Sequence, residues 1–345
     1  MADRDKLLVE PLLPLISSQA AAADVSRSVS PDVIAALKAN DVMRMSASKL
    51  GPDHAGWLRD ITRSHHWACF PAGAGTAVKA RIEGGEVVLN GDAAFGSGAR
   101  YAEIIGVIFL FEGERGPQFT LVRTTQPGVH IDPTWKAMSL RASATDHVRY
   151  TDVRIPLGQI APYTLKFREL FRSPDYAVVN PRYREDWVGL SDVWLGCMAV
   201  GVADAALREA CSGIQDRIAL MGTKMVERPT IHVNLGQAGA MIGAARACIY
   251  EACARTDARI TAGNIPCETD YLEQMAASMM TLRLCDDAMR LILRVLGGNG
   301  LREGQTFERR YRDFQAMPIH INAHPDRVSE QYGRHLLGLP TENPF

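Results

Sequence analysis

Hydrophobic and polar positions along the chain fall into three textures. In the first, Leu7, Leu8, Leu12, Leu13 and Leu15 crowd one segment, and Val33, Ile34, Leu37 and Val42 mark a second at helical spacing. Ser30-Pro31 precedes the second as cap and first-turn proline, because a Ser hydroxyl accepts from an open amide and Pro has no amide to leave unbonded. From about residue 69 the runs shorten. Thr76 to Ile82 and Glu86 to Leu89 are separated by Gly84-Gly85, and Ile104 to Phe111, Gln118 to Arg123 and Val148 to Ile155 have strand length. From about residue 164 helical spacing returns over Trp187 to Cys211, Pro229 to Ala262, Thr269 to Leu296 and Gln305 to Ile319. Four such lengths can bury their apolar stripes only against one another, which predicts an antiparallel bundle. The expected class is α+β: an N-terminal helical domain at 1–68, a central antiparallel β domain at 69–163 and a C-terminal four-helix bundle at 164–345. Gly236, Ala238, Gly239, Ala240, Gly243 and Ala244 would let helices approach closely or line a subunit interface, as in a homotetramer or homodimer.

Charge narrows the function classes. The 345 residues carry 38 Lys plus Arg against 39 Asp plus Glu, which gives no electrostatic case for nucleic acid or an anionic membrane as partner. The N-terminal MADRDKLLVEPLLPLI is broken by Asp, Lys, Glu and Pro, unlike a signal peptide, and no run is expected to cross a membrane. The seven cysteines form no CxxC pair and read as free thiols in a reducing compartment, with no metal site. The expectation is a soluble cytoplasmic protein.

Candidate chemistry clusters at a few turns. Phe95-Gly96-Ser97-Gly98 closes one strand. Trp135 is followed by Leu140-Arg141-Ala142-Ser143-Ala144-Thr145 and then Val153-Arg154-Ile155-Pro156, and Gly297-Gly298-Asn299-Gly300 precedes Arg312-Asp313. Ser143 and Thr145, two apart on a presumed strand, would face one side. In order and spacing these segments resemble the F-x-S-G, W…G-L-R-x-T-x-S…V-P and GGxG…RD motifs of the acyl-CoA dehydrogenase superfamily of flavoproteins, over nearly the whole chain. The resemblance implies a flavin held by Phe95, Ser97, Gly98, Trp135, Arg141, Ser143, Thr145, Gly297 and Gly298, with the hydroxyl or amide of Ser97 at N5 and Arg217 at the pyrophosphate. The residues alone also allow a plain hairpin turn at 95–98, a solvated Arg141 and an exposed helical Arg217. The charged run Glu308-Arg309-Arg310-Arg312-Asp313 reads most simply as a solvated, partly ion-paired face, with Asp313 as the candidate buried anchor.

The branch follows from one absence. Where that family commonly places a glutamate base after the RD pair, this chain reads Ile319-His320-Ile321-Asn322-Ala323, and an aliphatic Ile321 cannot take a proton from a thioester α-carbon. His320, seven residues after Asp313 and followed by Tyr332-Gly333-x-x-Leu336-Leu337-Gly338, resembles the oxygenase components of two-component flavin monooxygenases. Ser64-His65-His66-Trp67 resembles the H-x-W of that branch, with His66 an equal candidate to His65, while His324 before Pro325 reads as a helix-start surface residue. The resemblance implies reduced flavin (FADH2 or FMNH2) from a separate NAD(P)H-dependent reductase, reaction with O2 through a C4a-hydroperoxyflavin, and hydroxylation of an aromatic or polycyclic small molecule. His320, His65 and Ser97 would be catalytic. Two further readings stay open: a non-redox cyclase or binding scaffold, and a dehydrogenase with a relocated base. Ser46 to Gly56 and the PAGAG at 71–75 are shorter than the family's usual segments.

Overall fold

The computed structural model describes residues 10–40, 66–71, 77–113, 116–163, 174, 181–185, 187–219 and 222–341. They form two compact units, Met1–Phe167 and Arg168–Phe345. In the first unit, helices α1 (Leu13–Ser26) and α2 (Pro31–Ala39) precede the strands. Ser30 caps α2 as its sequence indicates, its hydroxyl accepting from Val33 N at 3.3 Å, and Val33 is the helix's buried residue. At its other end Lys38 pairs with Glu103 and lies 5.5 Å above the Trp67 ring. Glu103 also accepts from Trp67 N at 2.8 Å, which ties residue 67 to the foot of the sheet.

Among the described residues, eight strands build one sheet: β1 (Ala68–Cys69), β2 (Val78–Glu83), β3 (Glu86–Gly96), β4 (Ile104–Phe111), β5 (Pro117–Arg123), β6 (Val129–Asp132), β7 (Asp146–Pro156) and β8 (Ala161–Pro162). Their order is β6-β7-β3-β2-β4-β5-β8, with β1 on β4. The sheet is mixed rather than antiparallel throughout, because β4 pairs parallel to both β1 and β2. After β3 the chain crosses past β2 through the turn at Ala99–Tyr101 and lays β4 along its far side. A run such as IIGVIFLF shows burial on both faces but carries no information on strand direction, so the parallel pairs were not legible. β3 also continues seven residues beyond the expected Leu89, through a register shift at Leu89/Gly91. Val87, Leu89, Ile105, Val107, Phe109, Tyr150 and Ile155 form the core of this sheet.

The second unit is helical: α3 (Trp187–Gly213), α4 (Pro229–Ala262), α5 (Glu268–Leu296), α6 (Thr306–Phe314) and α7 (Pro325–Leu336). The expected fourth helix, Gln305 to Ile319, is shorter, ending at Phe314, and a separate short helix follows beyond the expected span. α6 stops at Phe314, the chain turns through Met317-Pro318, and α7 restarts at Pro325. A proline removes an amide and disfavours helix in the residue before it, which accounts for the break. One expectation needs correction: Gly189–Gly213 is long and apolar enough to cross a membrane by length and composition, with mean hydropathy 1.5. Its Val193, Ala199, Val200, Ala203, Ala206 and Ala210 pack into the bundle core with Ile242 and Ile249 of α4 and Leu282 and Cys285 of α5, so the apolarity serves helix packing. Arg259 closes one end of the bundle, donating to both carboxylate oxygens of Glu185 at 2.8 and 2.7 Å and to Asp270 at 2.9 Å.

Candidate functional site

In the first unit, the turn after β3 and the segment before β7 fold against each other. Gly98 N donates to Ser143 O at 2.9 Å. Ser97 Oγ lies 3.2 Å from Thr145 Oγ1, which lies 2.5 Å from Ser143 Oγ. Three hydroxyls in series have one proton each. If Ser143 donates to Thr145 and Thr145 to Ser97, the Ser97 proton is left to point outward, on the exposed side of the chain. Such a chain polarises along its length and makes its last donor stronger. Ser97 N already donates to Phe95 O at 3.1 Å, so the hydroxyl and not the amide is the outward donor.

The turn is held in unusual backbone. Phe95, Leu140 and Ala144 have φ of 59°, 49° and 48°, in the left-handed region that disfavours residues with a Cβ. Strain of this kind persists where surrounding contacts impose it, and it concentrates at functional sites. Here the constraint is partly Gly96, where a Cβ would sit 3.0 Å from Asp146 O and 3.3 Å from Cys69 Sγ. Ser143 and Thr145 are brought together, but by this turn: β7 begins only at Asp146, and the left-handed Ala144 between them replaces the expected strand.

Two residues that motif reading missed fix the turn from behind. Asp146 is fully buried and accepts from Arg100 Nε at 2.5 Å and from Trp135 N at 3.0 Å. Tyr101 OH accepts from Val29 N at 2.8 Å and donates to Ala142 O at 3.2 Å, linking the chain after α1 to the Ser143 segment. Trp135 Nε1 donates to Leu140 O at 2.8 Å, and Arg141 lies 3.7 Å from Asp24, so its charge is partnered rather than solvated. The signal available in sequence was position: Arg100-Tyr101 begins two residues after Gly98, and Asp146 directly follows Thr145. The surface left in front suits a flat ring. A Cβ on Gly98 would meet nothing within 4 Å, Phe95 presents an exposed side chain, and the outward hydroxyl is a directed donor.

In the second unit, Arg217 and the glycine turn come together. Arg217 lies beyond the end of α3, and its Nη1 donates to Leu296 O, the last carbonyl of α5, at 3.0 Å. Gly297 follows with φ 60° and ψ −148°, a conformation open essentially to glycine alone. A Cβ on Gly298 would meet nothing within 4 Å. His320 sits in the turn between α6 and α7, its N bonded to Met317 O and its O to Ala323 N, both at 3.1 Å. His320 lies on an exposed turn, and the desolvation that it does feel moves its imidazole below the ordinary value of 6.5. Beside it Ile321 is exposed, and its carbonyl accepts from Arg327 Nη1 at 2.6 Å. The buried anchor of the charged run is Arg312, bonded to Glu308 at 2.7 Å, while Asp313 is half-buried. The candidate His65 lies outside the described residues, as do 46–56 and 72–75. His66 is half-buried, with Nδ1 buried and unbonded among the described residues.

Comparison with known proteins matches residues 193–325 to the family "Acyl-CoA dehydrogenase, C-terminal domain". The chain is 25% identical to the flavin-dependent monooxygenase oxygenase subunit HsaA of Rhodococcus jostii, over 86% of this chain and 83% of that one. It is also 25% identical to a cyclohexane-1-carbonyl-CoA dehydrogenase of Geobacter metallireducens, over 71% of this chain and 58% of that one. Among solved structures, XiaF from Streptomyces sp. in complex with FADH2 and glycerol superposes with a TM-score of 0.77 at 19% identity, covering 94% of this chain and 79% of that one. That likeness establishes the acyl-CoA dehydrogenase-like fold.

Proposed function

We propose that this chain, a member of the acyl-CoA dehydrogenase superfamily, works as the oxygenase component of a two-component flavin-dependent monooxygenase. The single observation that carries the reading over its dehydrogenase relatives is the turn at 319–323, where His320 and the aliphatic Ile321 stand in place of a carboxylate base. Reduced flavin supplies the two electrons with which O2 gives one oxygen atom to the substrate and the other to water. The chain's part is binding, orientation and proton placement. The outward hydroxyl of Ser97, backed by Thr145 and Ser143, is the donor for the polar N5 edge of the ring. Phe95, Gly98, Trp135 and Arg141 shape its seat, and Arg217 with the turn at Gly297 and Gly298 offers a guanidinium and open backbone to flavin phosphate.

His320, its imidazole below the ordinary value, is the base for the acidic proton of a phenol-like substrate. His65 is the second histidine of the same reading. Reduced flavin arrives by diffusion from a separate NAD(P)H-dependent reductase, and the pair works in the cytoplasm. Exposed Trp194 and Met198 on α3 and Val233 and Tyr250 on α4 support assembly as a homodimer or homotetramer. The substrate class is a small aromatic or polycyclic molecule.

The test supplies chemically reduced FAD or FMN, 18O2 and a panel of phenols and fused aromatics. One 18O atom per product molecule, at a rate lowered about 100-fold or more in His320→Ala with flavin affinity kept, supports the reading. Reduction of bound FAD by an acyl-CoA, with no labelled product, would show a dehydrogenase with its base elsewhere.

A further inference from the structure

Away from the flavin turn, the bundle holds a pair of thiols in contact. Cys197 on α3 and Cys253 on α4 are 3.7 Å apart, sulfur to sulfur, and both are half-buried. Their meeting has a cause in the helix crossing. Gly196, one residue before Cys197, faces Ile249, one turn before Cys253, and a Cβ on Gly196 would lie 2.6 Å from Ile249 Cδ1. Only a missing side chain allows α3 and α4 to approach so closely there, and side chains adjoining such a crossing reach across it.

We propose that Cys197 and Cys253 are a peroxide-responsive thiol pair, which hydrogen peroxide converts into a reversible disulfide joining α3 to α4. The sulfurs must close from 3.7 Å to a bond of about 2.0 Å, a movement within reach of side-chain rotation on two packed helices. The two thiols are unlike. Either thiol can donate in their hydrogen bond, which favours the thiolate on the acceptor; that bond lowers Cys253 and raises Cys197, and burial adds to the rise. Cys253 is therefore the attacking thiolate. It displaces hydroxide from peroxide as the O–O bond breaks, giving a sulfenic acid, and the hydroxide takes a proton to become water. The Cys197 sulfur then displaces the sulfenic oxygen as a second water, forming the S–S bond. In sum two thiols lose two electrons and two protons, and one peroxide becomes two waters. An oxygenase that reduces O2 without a substrate to oxygenate is itself a source of hydrogen peroxide. That context rests on the proposed function, but the thiol chemistry does not.

The experiment uses the full-length purified chain, reduced and then exposed to hydrogen peroxide in small molar excess, alkylated and mapped by mass spectrometry. The expected result is loss of two of the seven thiols, a mass lower by two hydrogens, one peptide pair linked through 197 and 253, and full reversal by dithiothreitol. In Cys197→Ala, Cys253 should instead accumulate as a sulfenic acid captured by dimedone. All seven thiols remaining, or a disulfide through other residues, would overturn the proposal. A dimedone adduct absent from Cys253 but present on Cys197 in Cys253→Ala would overturn the assignment of the attacking sulfur. None of these readouts depends on flavin or turnover, so their failure leaves the oxygenase reading untouched.

Discussion

At the scale of single residues, the site's chemistry depends on where two protons point. Ser97 is free to donate outward when Thr145, 3.2 Å away, donates to it and Ser143 in turn donates to Thr145 at 2.5 Å. Removing its hydroxyl should forfeit about 1 kcal/mol of flavin binding, a net neutral hydrogen bond, or roughly fivefold in Kd. Thr145→Val should give a comparable loss, although residue 145 is buried, because Ser97 loses the neighbour that orients it. Titration with reduced flavin under anaerobic conditions measures both. Equal affinities for wild type and Ser97→Ala would remove this donor from the account. His320 makes a prediction in pH. Its folded value lies below the ordinary 6.5, so the unfolded chain takes up the proton first as pH falls. Stability linked to this ring is therefore complete above about 6.5 and declines as pH drops from there toward the depressed folded value. The same protonation removes the base, so kcat/KM should fall on the acid side. His320→Gln should flatten that part of the unfolding profile.

At the scale of elements, glycines decide the packing. Gly196→Ala gains helix propensity of about 1 kcal/mol but overpacks Ile249 at a cost of about 1–3 kcal/mol. The variant should melt lower than wild type, and the double variant with Ile249→Val, which removes the clashing Cδ1 but leaves Cγ1 at 3.0 Å, should lose less than the two single changes added together. Gly297→Ala should cost about 1–3 kcal/mol, because φ 60° with ψ −148° is closed to a residue with a Cβ. It should also disturb Arg217, whose partner is the preceding carbonyl. Much at this scale was legible. The helices at 229–262 and 268–296 follow directly from apolar spacing, and Ser30-Pro31 announced α2. What stayed hidden depends on contacts far apart in sequence. Nothing local shows that β4 runs parallel to β2, that Asp146 anchors Arg100 and Trp135, or that Cys197 meets Cys253. The hydroxyls of Ser97, Ser143 and Thr145 could be named from motifs, but their hydrogen bonds come from a left-handed Ala144 that a strand reading denies.

At the scale of the whole molecule, an acyl-CoA dehydrogenase-like scaffold carries a row of hydroxyls on its sheet unit and, on its helical unit, a turn with His320 and Ile321 and no carboxylate between Asp313 and Asp326. The long apolar helix at 189–213 belongs to this architecture through its buried face, Val193 to Ala210, which packs into the bundle core. The central claim is that the chain takes reduced flavin and directs its reaction with O2. Stopped-flow mixing of the chain, preloaded anaerobically with FADH2 or FMNH2, against oxygenated buffer tests that claim most directly. The expected result is a transient absorbance distinct from both reduced and oxidised flavin, decaying more slowly than free reduced flavin oxidises. Oxidation at the rate of free flavin, with no transient and no measurable affinity for the reduced form, would contradict it.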